Sequence, residues 1–179
     1  MQNEELTQQI KSTIRDVPDF PKKGILFKDI MPILENPALT REITMAFVKA
    51  AQDLNLDAVM GIESRGFFWG LLIAQELNIP FIPIRKKGKL PYKTISHEYD
   101  LEYGSAVIEV HEDAIKPNSR VLIHDDLLAT GGTAAAAALL VEKQQAVVAG
   151  FSFLVILEFL KGKEKINAFS EQIYGIVTY

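Results

Sequence analysis

Cysteine is absent from the sequence, and histidine occurs only three times. The first absence removes a disulfide framework and thiolate metal sites, and three scattered histidines offer no cluster with ligand spacing. Nor is there an excess of positive charge: 19 Lys and Arg stand against 23 Asp and Glu, for a formal net charge of -4 and a pI near 5.4. That balance argues against a general nucleic-acid binder, which is normally basic. Every long apolar run is interrupted by Lys, Glu or Gly before it reaches membrane-spanning length, and the opening MQNEELTQQIK lacks the apolar core of a signal peptide. A soluble, cytoplasmic protein with neither membrane nor nucleic-acid partner is the expectation. What is present, 179 residues with 48% apolar side chains, suffices for one domain with a substantial core.

The most informative stretch is RVLIHDDLLATGGTAAAAALL, from Arg120 to Leu140. Val121, Leu122 and Ile123 read as a strand buried on both faces, stopped by Asp125 and Asp126. A small-residue turn, Ala129, Thr130, Gly131, Gly132 and Thr133, then leads into a helix from Ala134 to Ala138. A glycine turn opening a helix offers unpaired N–H groups and a positive dipole end, which is what a phosphate needs. The triphosphate loop is excluded, because the residue after Gly132 is Thr133 and not lysine, and the dinucleotide fingerprint GxGxxG is missing. Carboxylates beside a phosphate would repel it unless they had another duty, and accepting hydrogen bonds from the hydroxyls of a sugar diol is one. Local spacing alone also allows a plain strand-turn-helix connection with a Thr cap and two solvated acids.

Along the rest of the chain, Leu6, Ile10 and Ile14 recur every four residues, giving an amphipathic helix ended by Pro18. Residues 15–37 carry Pro18, Pro21, Gly24 and Pro32 too close together for a long regular element, yet hold Phe20, Ile25, Leu26, Phe27 and Ile30; a lid or binding segment is expected. Asn36 and Pro37 start a helix whose face carries Leu39, Ile43, Phe47 and Leu54. Asp57–Ile62 reads as a strand, Glu63-Ser64-Arg65-Gly66 as a polar loop, Phe67–Leu77 as a helix and Phe81–Arg85 as another strand. Strands separated by helices imply an α/β domain with a mostly parallel sheet flanked by helices, and ligands of such sheets bind at the carboxyl ends of the strands. Residues 86–105 are polar and broken by Gly88, Pro91 and Gly104, a mobile hairpin-like loop with Arg85, Lys86, Lys87, Lys89 and Lys93 at its start. Ala146–Leu157 and Ile173–Val177 are the last strands.

VLIHDDLLATGGT resembles the phosphoribosyl diphosphate (PRPP) signature of the type I phosphoribosyltransferases, with His124 standing where an apolar residue is usual; it is given no role. FPKKGILFKDI, ESRGF, IRKKGKLP with LEYG, and LKGKEK are similar to the adenine-using branch of that family. The resemblance implies the family's fold over residues 1–179, with 1–36 as N-terminal helix and base-binding hood and 86–105 as the catalytic loop. It implies purine salvage, in which adenine and PRPP become AMP and pyrophosphate. On these residues, Asp125 and Asp126 would hold the ribose hydroxyls, and Ala129, Thr130, Gly131, Gly132 and Thr133 the 5-phosphate. Ser64, Arg65, Arg85 and Lys86 would grip pyrophosphate. Phe27 and Leu160 would flank adenine, while the backbone at Leu26 and Lys28 reads its amidine edge. Glu102 would be the catalytic loop acid, placed near the purine to manage its ring proton, Arg65 would neutralise the leaving group, and Tyr103 would pack over the ribose phosphate region. Magnesium, held mainly by PRPP and water with no protein ligand set, and a homodimer are implied as well. Two alternatives stay open: a transferase for another base, and a PRPP-sensing regulator.

Overall fold

In the computed structural model, residues 2–100 and 104–179 are described, apart from the side chains of 2 and 3. The chain divides into two compact units, Met1–Ala46 and Phe47–Tyr179.

In the first unit, α1 (Gln2–Thr13) stops short of Pro18, because Arg15–Pro18 (β1) pairs antiparallel with Leu26–Asp29 (β2). The proline spacing disguised this hairpin. Pro18 closes a strand of a two-stranded sheet, where a missing N–H is tolerated. Asp19 adopts a φ of 58° at the turn, and its Oδ1 accepts from the Gly24 N–H at 2.6 Å. A short helix α2 (Met31–Leu34) follows, and α3 (Pro37–Ala51) is capped as expected, with Asn36 Oδ1 accepting from Leu39 N at 3.1 Å. Leu39, Ile43 and Phe47 are buried. Leu54 lies beyond the helix end, in a 3-10 turn.

The second unit is built on a seven-stranded sheet. Its strands are β3 (Ala58–Ile62), β4 (Phe81–Lys86), β5 (Thr94–Asp100), β6 (Ser105–His111), β7 (Arg120–Leu128), β8 (Val147–Ile156) and β9 (Ile173–Thr178), in the spatial order β5-β6-β4-β3-β7-β8-β9. The β3–β4, β3–β7, β7–β8 and β8–β9 pairs are parallel, and β6 pairs antiparallel with β4 and β5. This is the mostly parallel α/β sheet expected. Helix α4 (Gly66–Glu76) carries the chain from β3 to β4, and α5 (Gly132–Lys143) carries it from β7 the opposite way to β8. Right-handed crossovers put the two helices on opposite faces and make the gap between the ends of β3 and β7 the switch point.

Helix α5 is apolar because it packs on the sheet: Ala134 to Ala138, Leu140 and Val141 are all buried beside Val121, Ile123, Phe151 and Phe153. Fully burying one such phenylalanine contributes roughly 1.5–3 kcal/mol, and the alanines let the helix axis approach the strands closely. Strand β7 does not stop at the acids. It runs through them to Leu128, because β8 is long enough to pair with it as far as Leu128↔Ile156. His124 is fully buried, with Nδ1 2.8 Å from Ser152 Oγ and the Phe47 ring edge-on at 4.9 Å. Burial pulls its pKa down to about 3, with the Ser152 bond opposing, so it is a packed neutral imidazole.

Candidate active site

The last β3–β7 pair is Gly61↔His124, whereas β7 stays paired with β8 for four residues more. Beyond His124, therefore, one edge of β7 is uncovered, and the crevice opens there. Asp125 and Asp126 are the first residues past that point. On the β3 side, Glu63, Ser64 and Arg65 turn into α4; the Glu63–Ser64 peptide is cis. A cavity of about 460 Å³ occupies the crevice, within the usual range for a small-molecule site. Ser64, Arg65, Lys86, Asp125, Asp126 and the turn Ala129–Thr133 all line it, together with Glu63 and Tyr99.

The turn has the form a phosphate requires. Gly131 takes the N-cap position of α5 in the left-handed region, φ 79°, which favours glycine. No side chain caps the helix among the described residues, and the first i→i−4 bond runs from Ala135 N to Gly131 O at 2.9 Å. The amides ahead of Ala135 are thus left to an external acceptor, and the dipole of a 12-residue helix adds to them. The plain connection with a Thr cap, the alternative that local spacing allowed, is not what forms: Gly131 takes the cap position and the helix starts at Gly132.

The acids are costly to keep ionised. Asp126 is 5% exposed and Asp125 faces the cavity, where its Oδ1 accepts from Asp126 N at 2.9 Å. Burial raises the Asp125 carboxyl well above its ordinary range, and the neighbouring Asp126 charge adds to this. Burial also raises Asp126, while Arg65 counteracts. Arg65 Nε lies 3.0 Å from Asp126 Oδ2, but the approach is not aligned as a hydrogen bond, so that buried oxygen has no hydrogen-bond partner among the described residues. A pair in this condition gains from any ligand that donates hydroxyl protons to it or places a cation beside it.

The cations beside β4 divide by task. Arg85 Nε is 3.1 Å from Glu63 Oε2, which also accepts from Lys86 N at 2.9 Å, and Arg85 is not among the described residues lining the cavity. Burial works to raise the Glu63 carboxyl, but the bonds and charges of Arg85 and Lys86 outweigh it and hold the group below its ordinary value. Lys86 alone of the basic loop run is seen lining the cavity.

One participant was not foreseen. Glu109 is 4% exposed, and its Oε1 accepts from Gly88 N, Lys89 N and Leu90 N at 3.0–3.1 Å, while Thr94 Oγ1 donates to Oε2 at 3.3 Å. The start of the basic loop is anchored by a buried carboxylate. Its sequence signal is an acid lodged between two buried aliphatics, Ile108 and Val110, in SAVIEVH.

Of the remaining expected residues, Leu160 is half-buried in the 3-10 turn Glu158–Leu160, outside the described lining of the cavity. Leu26, Phe27 and Lys28 form β2 in the first unit, where Leu26 is exposed, Phe27 meets Phe20 edge-on at 5.1 Å and Lys28 Nζ is 2.6 Å from Asp16 Oδ1. Glu102 and Tyr103 lie outside the described residues. Among the described residues no group of three or more His, Cys, Asp or Glu gathers to form a metal cage.

Comparison with known proteins shows the family and the fold. Residues 30–169 match the family model for the phosphoribosyl transferase domain. The adenine phosphoribosyltransferase of Cytophaga hutchinsonii is 52% identical over 174 residues, covering 97% of this chain and 96% of that protein. The crystal structure of the adenine phosphoribosyltransferase from Thermoanaerobacter pseudethanolicus superposes with a TM-score of 0.93 at 43% identity, over 97% of this chain and 99% of that one. The Saccharomyces cerevisiae enzyme, complexed with an imino-altritol bisphosphate and adenine, gives a TM-score of 0.90 at 40% identity, over 97% and 99% of the two chains.

Proposed function

The chain belongs to the phosphoribosyltransferase family, among its adenine-using members, and from that premise we infer how its cavity works. The protein is a pentosyltransferase of purine salvage: it converts adenine and PRPP to AMP and pyrophosphate. A bond forms between an imidazole-ring nitrogen of adenine and the anomeric carbon, the bond from that carbon to the pyrophosphate oxygen breaks, and the nitrogen gives up its proton.

We assign the residues as follows. The amides and hydroxyls of Ala129 to Thr133 hold the 5-phosphate at the start of α5. Asp125 and Asp126 accept from the ribose hydroxyls, and those donors stabilise the carboxylates that burial disfavours. Ser64, Arg65 and Lys86 bind pyrophosphate and stabilise the charge that develops on it as it leaves. Arg85 serves through Glu63, whose carboxylate fixes the backbone that presents Lys86. Base contacts are assigned to Leu26, Phe27 and Lys28, and to Leu160. With its side chain committed to Asp16, Lys28 contributes backbone groups. Backbone readout of the amidine edge rejects a 6-oxo purine, because reversed donors leave buried groups unpaired. Glu102 manages the purine's ring proton and Tyr103 packs over the ribose phosphate region.

The donor set suits magnesium held mainly by PRPP oxygens and water. Asp126 offers a buried oxygen with no hydrogen-bond partner, and no full protein cage is found among the described residues. When bound, the ion neutralises charge on the pyrophosphate. A homodimer and a cytoplasmic location belong to the same reading, supported by the family.

The single observation that carries these assignments is the meeting of the acid pair, Arg65 and the uncapped α5 turn in one cavity at the switch point. The test is pyrophosphate release from PRPP and magnesium with each base in turn. Release with adenine alone is expected. Release with hypoxanthine or guanine but not adenine would reassign the base, and no release with any base would favour a PRPP-sensing regulator.

A further inference from the structure

The turn from Ala129 to Thr133 carries no cation of its own, and the two residues ahead of Leu127 and Leu128 are acids. A second element reaches it. Helix α6 (Gly162–Ile166) begins on a glycine pressed against the turn: a Cβ at Gly162 would collide with Ala129 O and lie 3.0 Å from Gly131 N. Conversely, a Cβ at Gly131 would lie 2.7 Å from Gly162 O. This seating fixes where the next residues of α6 fall. Positions three apart share a helix face, so Lys165 projects on the same side as Gly162. Its Nζ is 3.9 Å from the point that a Cβ on Gly132 would occupy.

The other charges of the segment are committed to each other. Lys163 Nζ is 2.9 Å from Glu158 Oε2, and Lys161 Nζ is 3.9 Å from Glu164 Oε1. Lys165 is exposed and has no carboxylate partner among the described residues. An ammonium on a flexible four-carbon stem, beside amides that await an anion, is placed to reach the oxygens those amides leave free.

We propose that Lys165 is a further phosphate-binding residue of this site, donating to the 5-phosphate of PRPP from the α6 side of the turn. The proposal rests on the turn's assignment as the 5-phosphate seat, and ribose 5-phosphate is the probe that separates the two. Calorimetric titration of the full-length protein is carried out on the parent, Lys165→Gln and Lys165→Arg. Lys165→Gln should weaken ribose 5-phosphate binding roughly tenfold, as loss of a hydrogen bond to a charged group does. Lys165→Arg, which keeps the charge, should recover most of it. In the same variants the KM for PRPP should rise with Lys165→Gln while the KM for adenine stays put, a split that a merely structural role would not produce. Parent-like binding by Lys165→Gln would overturn the role of Lys165. A parent protein that does not bind ribose 5-phosphate would overturn the assignment of the turn itself.

Discussion

Gly66 and Asp125 touch so closely that no side chain fits between them: a Cβ on Gly66 would lie 2.9 Å from Asp125 Oδ1 and 2.8 Å from His124 O. The start of α4 is thereby wedged against the strand that carries the acids, and backbone atoms on one side of the contact cannot swing away. Gly66→Ala should displace Asp125, lowering stability by about 1–3 kcal/mol as overpacking does and raising the KM for PRPP. Thermal unfolding with and without PRPP checks both effects.

The acids themselves are a liability in the empty protein. Burial raises both carboxyls above the ordinary value of 3.8, and for Asp125 the neighbouring Asp126 charge adds to it, so folding opposes their ionised forms. Asp125→Asn with Asp126→Asn should make the ligand-free protein more stable at pH 7 and abolish PRPP binding. Denaturant midpoints paired with PRPP titration read the two changes in one preparation. A folded double variant that binds PRPP as tightly as the parent would remove the pair from the site.

Stability should depend on pH through two groups acting in opposite senses. His124 has its value lowered to about 3 from 6.5, so between those limits the unfolded chain takes up a proton that the native state refuses. Stability is lost as pH falls through this window, by up to ~1.4 kcal/mol per pH unit. The acid pair works the other way. Its protons are kept in the native state above pH 3.8, so stability falls as pH rises from there through the pair's folded values. The double Asn variant should unmask the His124 slope, giving a steeper loss on acidification than in the parent. Denaturation curves at intervals from pH 4 to pH 7 decide this.

Removing Glu109 should loosen the loop that begins beside the cavity. Glu109→Ala strips the acceptor from three backbone donors and one hydroxyl. A buried network broken at its charged member costs roughly 3–5 kcal/mol, and amide hydrogen exchange at 88–90 should accelerate beyond any global change.

Glu102→Ala should lower turnover by roughly 10²–10⁴ with the fold intact. Steady-state rates with saturating adenine and PRPP check it, and near-full turnover would exclude Glu102 from the mechanism.

The parallel sheet and the phosphate turn were legible because both rest on short-range patterns: an apolar run, two acids, then glycines opening a helix. Even there the sequence reads as a strand stopped by Asp125 and Asp126, since the text cannot show that β8 extends far enough to keep pairing through Leu128. The β1–β2 hairpin was hidden for the opposite reason. Its prolines and glycine are turn signals locally, and only partnership between Arg15 and Asp29 reveals strands. Arg85 read as one of a run of equivalent cations, yet Glu63, 22 positions away, claims it. Glu109 shows the same limit: a lone acid in a strand ordinarily marks the solvent side, and what reverses that here is a loop folding back onto it.

The alanine run of α5 has a consequence of its own. Ala134–Ala138 are all buried and bring nothing larger than a methyl group to the core, so the elevation of that helix works as a spacer shim, and a bulkier residue there would lift the amide rim at its head. Replacing Ala137, which is not among the described residues lining the cavity, with leucine should thus retune affinity for sugar phosphates by remote levering.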